Sequence, residues 1–112
     1  MNNKDIKLKN DKFKKSRGGY SRWLLISCEK CKNSMFTYQK DGSGILKRLY
    51  FDRIVGLDSK NFGNLICRKC RIVIGTPIIY KKEHRKAYRL FVGAIEKKII
   101  NENKIKKFLH IK

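Results

Sequence analysis

The chain has 112 residues, with 29 Lys and Arg against 9 Asp and Glu, a formal net charge of +20 and a pI near 10.1. That length allows one domain with tails, and a domain so short often needs a staple beyond its apolar core. An apolar fraction of 41% and a single proline exclude a fully disordered or proline-rich chain, and no stretch reaches the about 20 apolar residues of a membrane span.

Ile, Lys and Asn are abundant, as in AT-rich coding, which explains why Lys outnumbers Arg but not why acids are so few. The positive charge runs along the whole chain: +6 over residues 1–27, +5 over 28–70 and +9 over 71–112. Such an excess repels itself in a compact fold unless a polyanion neutralises it, and the ordinary polyanion is nucleic acid. Charge on every segment implies contact on several sides, as for a protein embedded in folded RNA. The first 20 residues hold no apolar run, so no secretory signal is read there, and the expected compartment is the reducing cytosol, where disulfides rarely persist.

In chain order, residues 1–19 read as a disordered basic arm ending in Arg17, Gly18 and Gly19. Residues 20–26 (YSRWLLI) read as a short strand leading into the first cysteine pair, and residues 35–40 (MFTYQK) as a second strand. Asp41, Gly42, Ser43 and Gly44 are a turn signal. Residues 45–55 are read as strand, although Leu46, Leu49, Tyr50 and Ile54 also fit a helical face. A polar loop at 56–64 leads to the second cysteine pair. Residues 71–74 continue as strand, Gly75, Thr76 and Pro77 interrupt it, and 78–80 resume. The polar run 81–86 is a connection, and 87–95 (AYRLFVGAI) is a strand. Residues 96–112 form a basic tail or amphipathic helix. The body is thus a mainly β domain over 20–95.

The cysteines carry the chemistry. Cys28 and Cys31 form one C-x2-C, and after a 35-residue gap Cys67 and Cys70 form another. Two intervening residues are the spacing of a tight turn that aims both sulfurs at one ion, and two such turns supply the four-sulfur shell of a closed structural zinc site. Lys30, Lys32, Arg68, Lys69 and Arg71 lie in or beside the pairs, and cations favour thiolates. Iron in a rubredoxin-like site would use the same sulfurs, but such knuckles usually carry Pro and Gly, absent here. A redox pair lacks its βαβ context. With four sulfurs filling a tetrahedral shell, His84 and His110 are not read as ligands. No nucleophile motif, phosphate loop or dinucleotide signature is present, so no enzyme is expected.

Through CEKC at 28–31 and CRKC at 67–70, the stretch 24–74 resembles the zinc-ribbon superfamily. Its knuckles often carry Gly just after the second Cys; here Lys32 and Arg71 stand there. The resemblance implies a small β-hairpin zinc ribbon holding one structural Zn2+, of the kind found in ribosomal proteins, transcription factors and polymerase subunits.

Basic residues interleaved with aromatics are the candidate nucleic-acid contacts: Lys14, Lys15, Arg17, Arg22, Lys30, Lys32, Lys47, Arg48, Arg53, Arg68, Lys69, Arg71, Lys81, Lys82, Arg85 and Arg89. Trp23, Phe36, Tyr50 and Phe91 serve first as core. The reading is an RNA-binding structural zinc protein, ribosomal or ribosome-associated, whose partners are rRNA and neighbouring ribosomal proteins, with no membrane and no small-molecule substrate. A transcription-associated or DNA-binding ribbon is the alternative, a rubredoxin-like electron carrier a third.

Overall fold

A computed structural model describes residues 8–57 and 63–101. It is mainly β. The strands are β1 (Ser21–Cys28), β2 (Ser34–Asp41), β3 (Arg48–Tyr50), β4 (Ile54–Val55), β5 (Leu65–Ile66), β6 (Val73–Tyr80), β7 (Arg85–Leu90) and β8 (Ile95–Ile100), and one short helix, α1 (Lys12–Ser16), precedes them. They form two antiparallel sheets of four strands, ordered β4-β2-β1-β8 and β3-β7-β6-β5.

Along β1 the side chains alternate as a strand requires. Leu24, Ile26 and Cys28 point into a core shared with Phe36 and Tyr38 of β2, Leu49, Ile54, Leu65, Cys67, Ile74 and Tyr88. This core draws on both sheets. On the opposite face of β1, Trp23 packs with Ile100, Leu25, Val55 and Leu8, so the outer side of the first sheet is partly covered too. Trp23, Phe36 and Tyr50 are buried as expected; Phe91 is not, being 47% exposed in the turn between β7 and β8.

Five expectations from the sequence need correction. The arm 1–19 is not disordered over 8–19; residues 1–7 lie outside the described residues. Leu8 joins the outer apolar cluster, and the buried Gln39 amide pairs with Lys9 like a neighbouring strand, accepting from its N–H at 2.7 Å and donating to its carbonyl at 2.9 Å. Asp11 caps α1, its Oδ1 accepting from the N–H groups of Phe13 and Lys14. A strongly basic composition hid these local anchors.

Residues 96–100, read as tail or helix, are strand. β8 pairs along β1 from Ile95 opposite Cys28 to Ile100 opposite Trp23, satisfying a β1 edge that would otherwise stay open. Residues 102–112 lie outside the described residues. The strand read at 87–95 is split: β7 ends at Leu90, and a turn with Gly93 at φ 73° feeds β8.

Residues 75–77 do not interrupt β6, which runs unbroken. β5 pairs only with the start of β6, so among the described residues Pro77 has no strand on one side, and its missing N–H costs no ladder bond there. Gly75 is there because the β7 backbone approaches: a Cβ would stand 2.6 Å from the Arg89 carbonyl oxygen. Finally, residues 45–55 are two short strands, β3 and β4, separated by a single 3-10 turn at Phe51–Arg53, which swings Arg53 into the interior.

Candidate metal centre

Each cysteine pair is the turn of a hairpin. The first connects β1 to β2, the second β5 to β6. The two turns are built alike. In the first, the Cys28 N–H donates to Asn33 O at 2.9 Å and the Lys32 N–H to Cys28 O at 2.8 Å. In the second, the Cys67 N–H donates to Ile72 O at 3.0 Å and the Arg71 N–H to Cys67 O at 2.9 Å. Closing this loop forces the residue after the second cysteine into the left-handed region, with φ 64° at Lys32 and 68° at Arg71. That conformation explains the glycine preference of such knuckles; here side chains occupy it at a steric cost.

The hairpins belong to different sheets, yet their four sulfurs lie within 4.8 Å of one another. Across the sheets, Cys28 Sγ is 3.6 Å from Cys70 Sγ, and Cys31 Sγ is 3.6 Å from Cys67 Sγ. A disulfide would need about 2.05 Å, so these are free thiols. Metal–sulfur bonds of about 2.3 Å in a tetrahedron place sulfurs about 3.8 Å apart, and the cluster fits that size. Cys28 and Cys67 are fully buried and the other two partly so, which is the setting of a closed site. The four cysteines could hold a metal ion. His84 is exposed in the turn between β6 and β7 and takes no part; His110 lies outside the described residues.

Burial opposes ionisation of Cys67, but the N–H groups of Cys70 and Lys69 and the thiols of Cys31 and Cys70 donate to its sulfur and bring it down to about 6. For Cys70, the N–H of Ile72 favours the thiolate, yet burial and the sulfurs of Cys28, Cys67 and Cys31 push it up to about 11. Crowded thiols thus release protons unequally, and a divalent cation at their centre would relieve the repulsion that keeps the last of them protonated.

At the other end of the same hairpins lies an ion network. Arg53, 1% exposed, meets Asp41 at 3.0 Å and Asp11 at 2.6 Å. Arg85, 5% exposed, meets Asp52 at 2.7 Å and Glu83 at 2.9 Å, and is held between the rings of Phe13 and Tyr50. Arg17 reaches Glu83 at 2.8 Å and the Tyr50 hydroxyl at 3.0 Å. Arg53 and Arg85 were candidate nucleic-acid contacts; they are buried structural cations, and no polyanion can reach them without unfolding. Arg17 is half-buried in the same network. Arg48 stacks on Tyr80 with its guanidinium 4.1 Å from the ring centroid. Lys32 is exposed but bridges Glu29 and Glu96.

The remaining candidates lie on the surface: Lys15, Arg22, Lys30, Lys47, Arg68, Lys69, Arg71, Lys81, Lys82 and Arg89 are exposed and Lys14 is half-buried. Every acidic side chain among the described residues (Asp11, Glu29, Asp41, Asp52, Glu83 and Glu96) is in an ion pair with Arg17, Lys32, Arg53 or Arg85. No local motif marks Lys40 or Lys97; the strand register sets Lys40 opposite Arg22, and Lys97, opposite Ile26, lines the same groove as both.

The chain matches no protein-family model, no curated protein and no solved structure. The likeness to zinc ribbons therefore rests on the two knuckles and their geometry.

Proposed function

We propose that this chain is a non-catalytic, RNA-binding structural zinc protein of the zinc-ribbon kind, acting in the cytoplasm as a ribosomal or ribosome-associated protein. The observation that carries the reading is the distribution of charge: four basic residues absorb all the acids of the described residues, and most of the other described Lys and Arg side chains are exposed, in a chain of net +20. A surface of nearly one sign is unfavourable for a lone protein and suits one surrounded by phosphates. Zinc is favoured over iron as the occupant because a closed four-sulfur site that links two sheets does structural work, which needs no redox chemistry. The metal would fix the hairpins, and surface Lys and Arg would neutralise rRNA phosphates.

The test is sedimentation of tagged protein from lysate with and without ribonuclease. Comigration with ribosomal particles that ribonuclease abolishes is expected. Cosedimentation with polymerase or duplex DNA would favour the transcription-associated alternative, and a red purified protein would overturn zinc in favour of iron.

A further inference from the structure

The first sheet's inner face runs beyond the shared core and ends in a groove of about 520 Å³ beside the turn of Gly42, Ser43 and Gly44. Arg22 on β1 and Lys40 on β2 stand directly opposite each other there, and Lys97 of β8 lines the same groove. Like charges set opposite each other across a strand pair are destabilising, and among the described residues no acid forms an ion pair with them: the Asp41 carboxylate beside them is bound to Arg53, and the Lys40 ammonium donates to Gly42 O at 2.8 Å. Burial first, and then Arg22 and Lys97, lower the Lys40 pKa against the opposing pull of Tyr20 and Asp41. Beside these cations, Tyr20 is 42% exposed with the Arg22 guanidinium 5.5 Å from its ring centroid, and Ile99 adds an apolar strip.

Cations along a groove with an exposed aromatic ring at its side are the elements that hold single-stranded nucleic acid, phosphates on the cations and a base on the ring. An exposed ring finds an unpaired base to stack on in a single strand, not in an intact duplex. We infer that Arg22, Lys40 and Lys97 bind the phosphates of a single-stranded segment of the RNA partner, with Tyr20 stacking on one of its bases. This assignment rests on the polyanion reading above and names the part of the surface that would carry it.

The experiment uses the full zinc-loaded chain and a fluorescent oligouridylate, with affinity measured by anisotropy across a salt series. The double variant R22Q/K97Q alters two exposed side chains and is compared with K30Q/K69Q, which removes the same charge from the knuckle turns at the far ends of the hairpins. R22Q/K97Q is expected to lose at least about tenfold more affinity than the control, and the slope of log K against log salt to fall by about 1.4, at about 0.7 per phosphate on a single strand. Tyr20→Ala is expected to weaken binding and Tyr20→Phe to restore it. If both double variants lose affinity equally, the groove assignment is overturned while the polyanion reading stands. If the unaltered chain shows no salt-dependent binding, the polyanion reading fails and the groove with it.

Discussion

Cys28 at the end of β1 and Cys70 beyond β5 sit 42 residues apart in sequence, in different sheets, with their sulfurs 3.6 Å apart. Together with the Cys31–Cys67 pair, they make the cysteine cluster the junction between the sheets at one end of the molecule. Arg53 and Arg85 make a junction at the other end, linking Asp41 of the first sheet through Asp52 to the start of β7. The fold is closed at both ends by polar clamps around a modest apolar core.

Metal removal should therefore open one end of the fold. Cys67→Ser is expected to unfold the body or to lower its thermal midpoint sharply, because the free energy of metal binding is part of the folding free energy in such domains. Circular dichroism melts of the protein with and without a chelator check this; unchanged melts in both would show that the cysteines act without metal. Rebinding should release protons, and the number released per ion should fall as pH rises through about 6, where the Cys67 thiol of the metal-free cluster ionises.

Arg71→Gly should stabilise the protein. Arg71 holds φ 68°, a conformation that costs an L-residue roughly 1–2 kcal/mol, against roughly 0.5–1 kcal/mol for the added freedom of glycine in the unfolded chain. A gain of up to about 1 kcal/mol in denaturant unfolding is expected, and a loss would show that the Arg71 side chain makes a compensating contact.

Asp41→Asn is expected to cost about 3 kcal/mol, the low end for removing one partner of a buried pair. Arg53 and Asp41 are both nearly closed to solvent, at 1% and 4% exposure, while Asp11 would remain beside the arginine. Urea unfolding checks the value. The double variant D41N/R53M is expected to cost less than the sum of D41N and R53M, since it leaves neither partner of the buried pair charged.

Acid should release the N-terminal helix. Donation from Arg53 holds Asp11 at about 2 against an ordinary 3.8, outweighing the opposing effect of burial, with the N–H groups of Lys14 and Phe13 adding to it. A depressed carboxyl stabilises the fold fully above its unfolded pKa and loses that contribution as pH falls toward the folded value, so α1 should undock between about pH 4 and pH 2. Amide exchange at Phe13 and Lys14 reads the event, and D11N should show no such step in that window.

The sequence made the turns and ligands legible because both are local. C-x2-C spacing is a property of one tight turn, and Asp41–Gly42 marks another. Strand character at 20–26 and 35–40 followed from alternation over a few residues. The helix-or-strand ambiguity at 45–55 arose because two short strands around a 3-10 turn carry apolar residues at helical spacing. β8 was misread for a related reason: Ile95, Ile99 and Ile100 have no strand alternation, and what makes them a strand is the open edge of β1.

By itself the sequence determined the four cysteines that could hold a metal ion, the mainly β character and the excess of positive charge, since each depends on residue identity or on neighbours along the chain. Which cations remain at the surface was decided only by the tertiary structure. Arg53 and Asp11 are 42 residues apart and Arg17 and Glu83 are 66 apart, so no spacing rule foretells their pairing. The same folding that buries Arg53 and Arg85 against the acids sets Lys40 opposite Arg22, with no ion pair to either among the described residues, because strand register, rather than sequence proximity, fixes which charges meet.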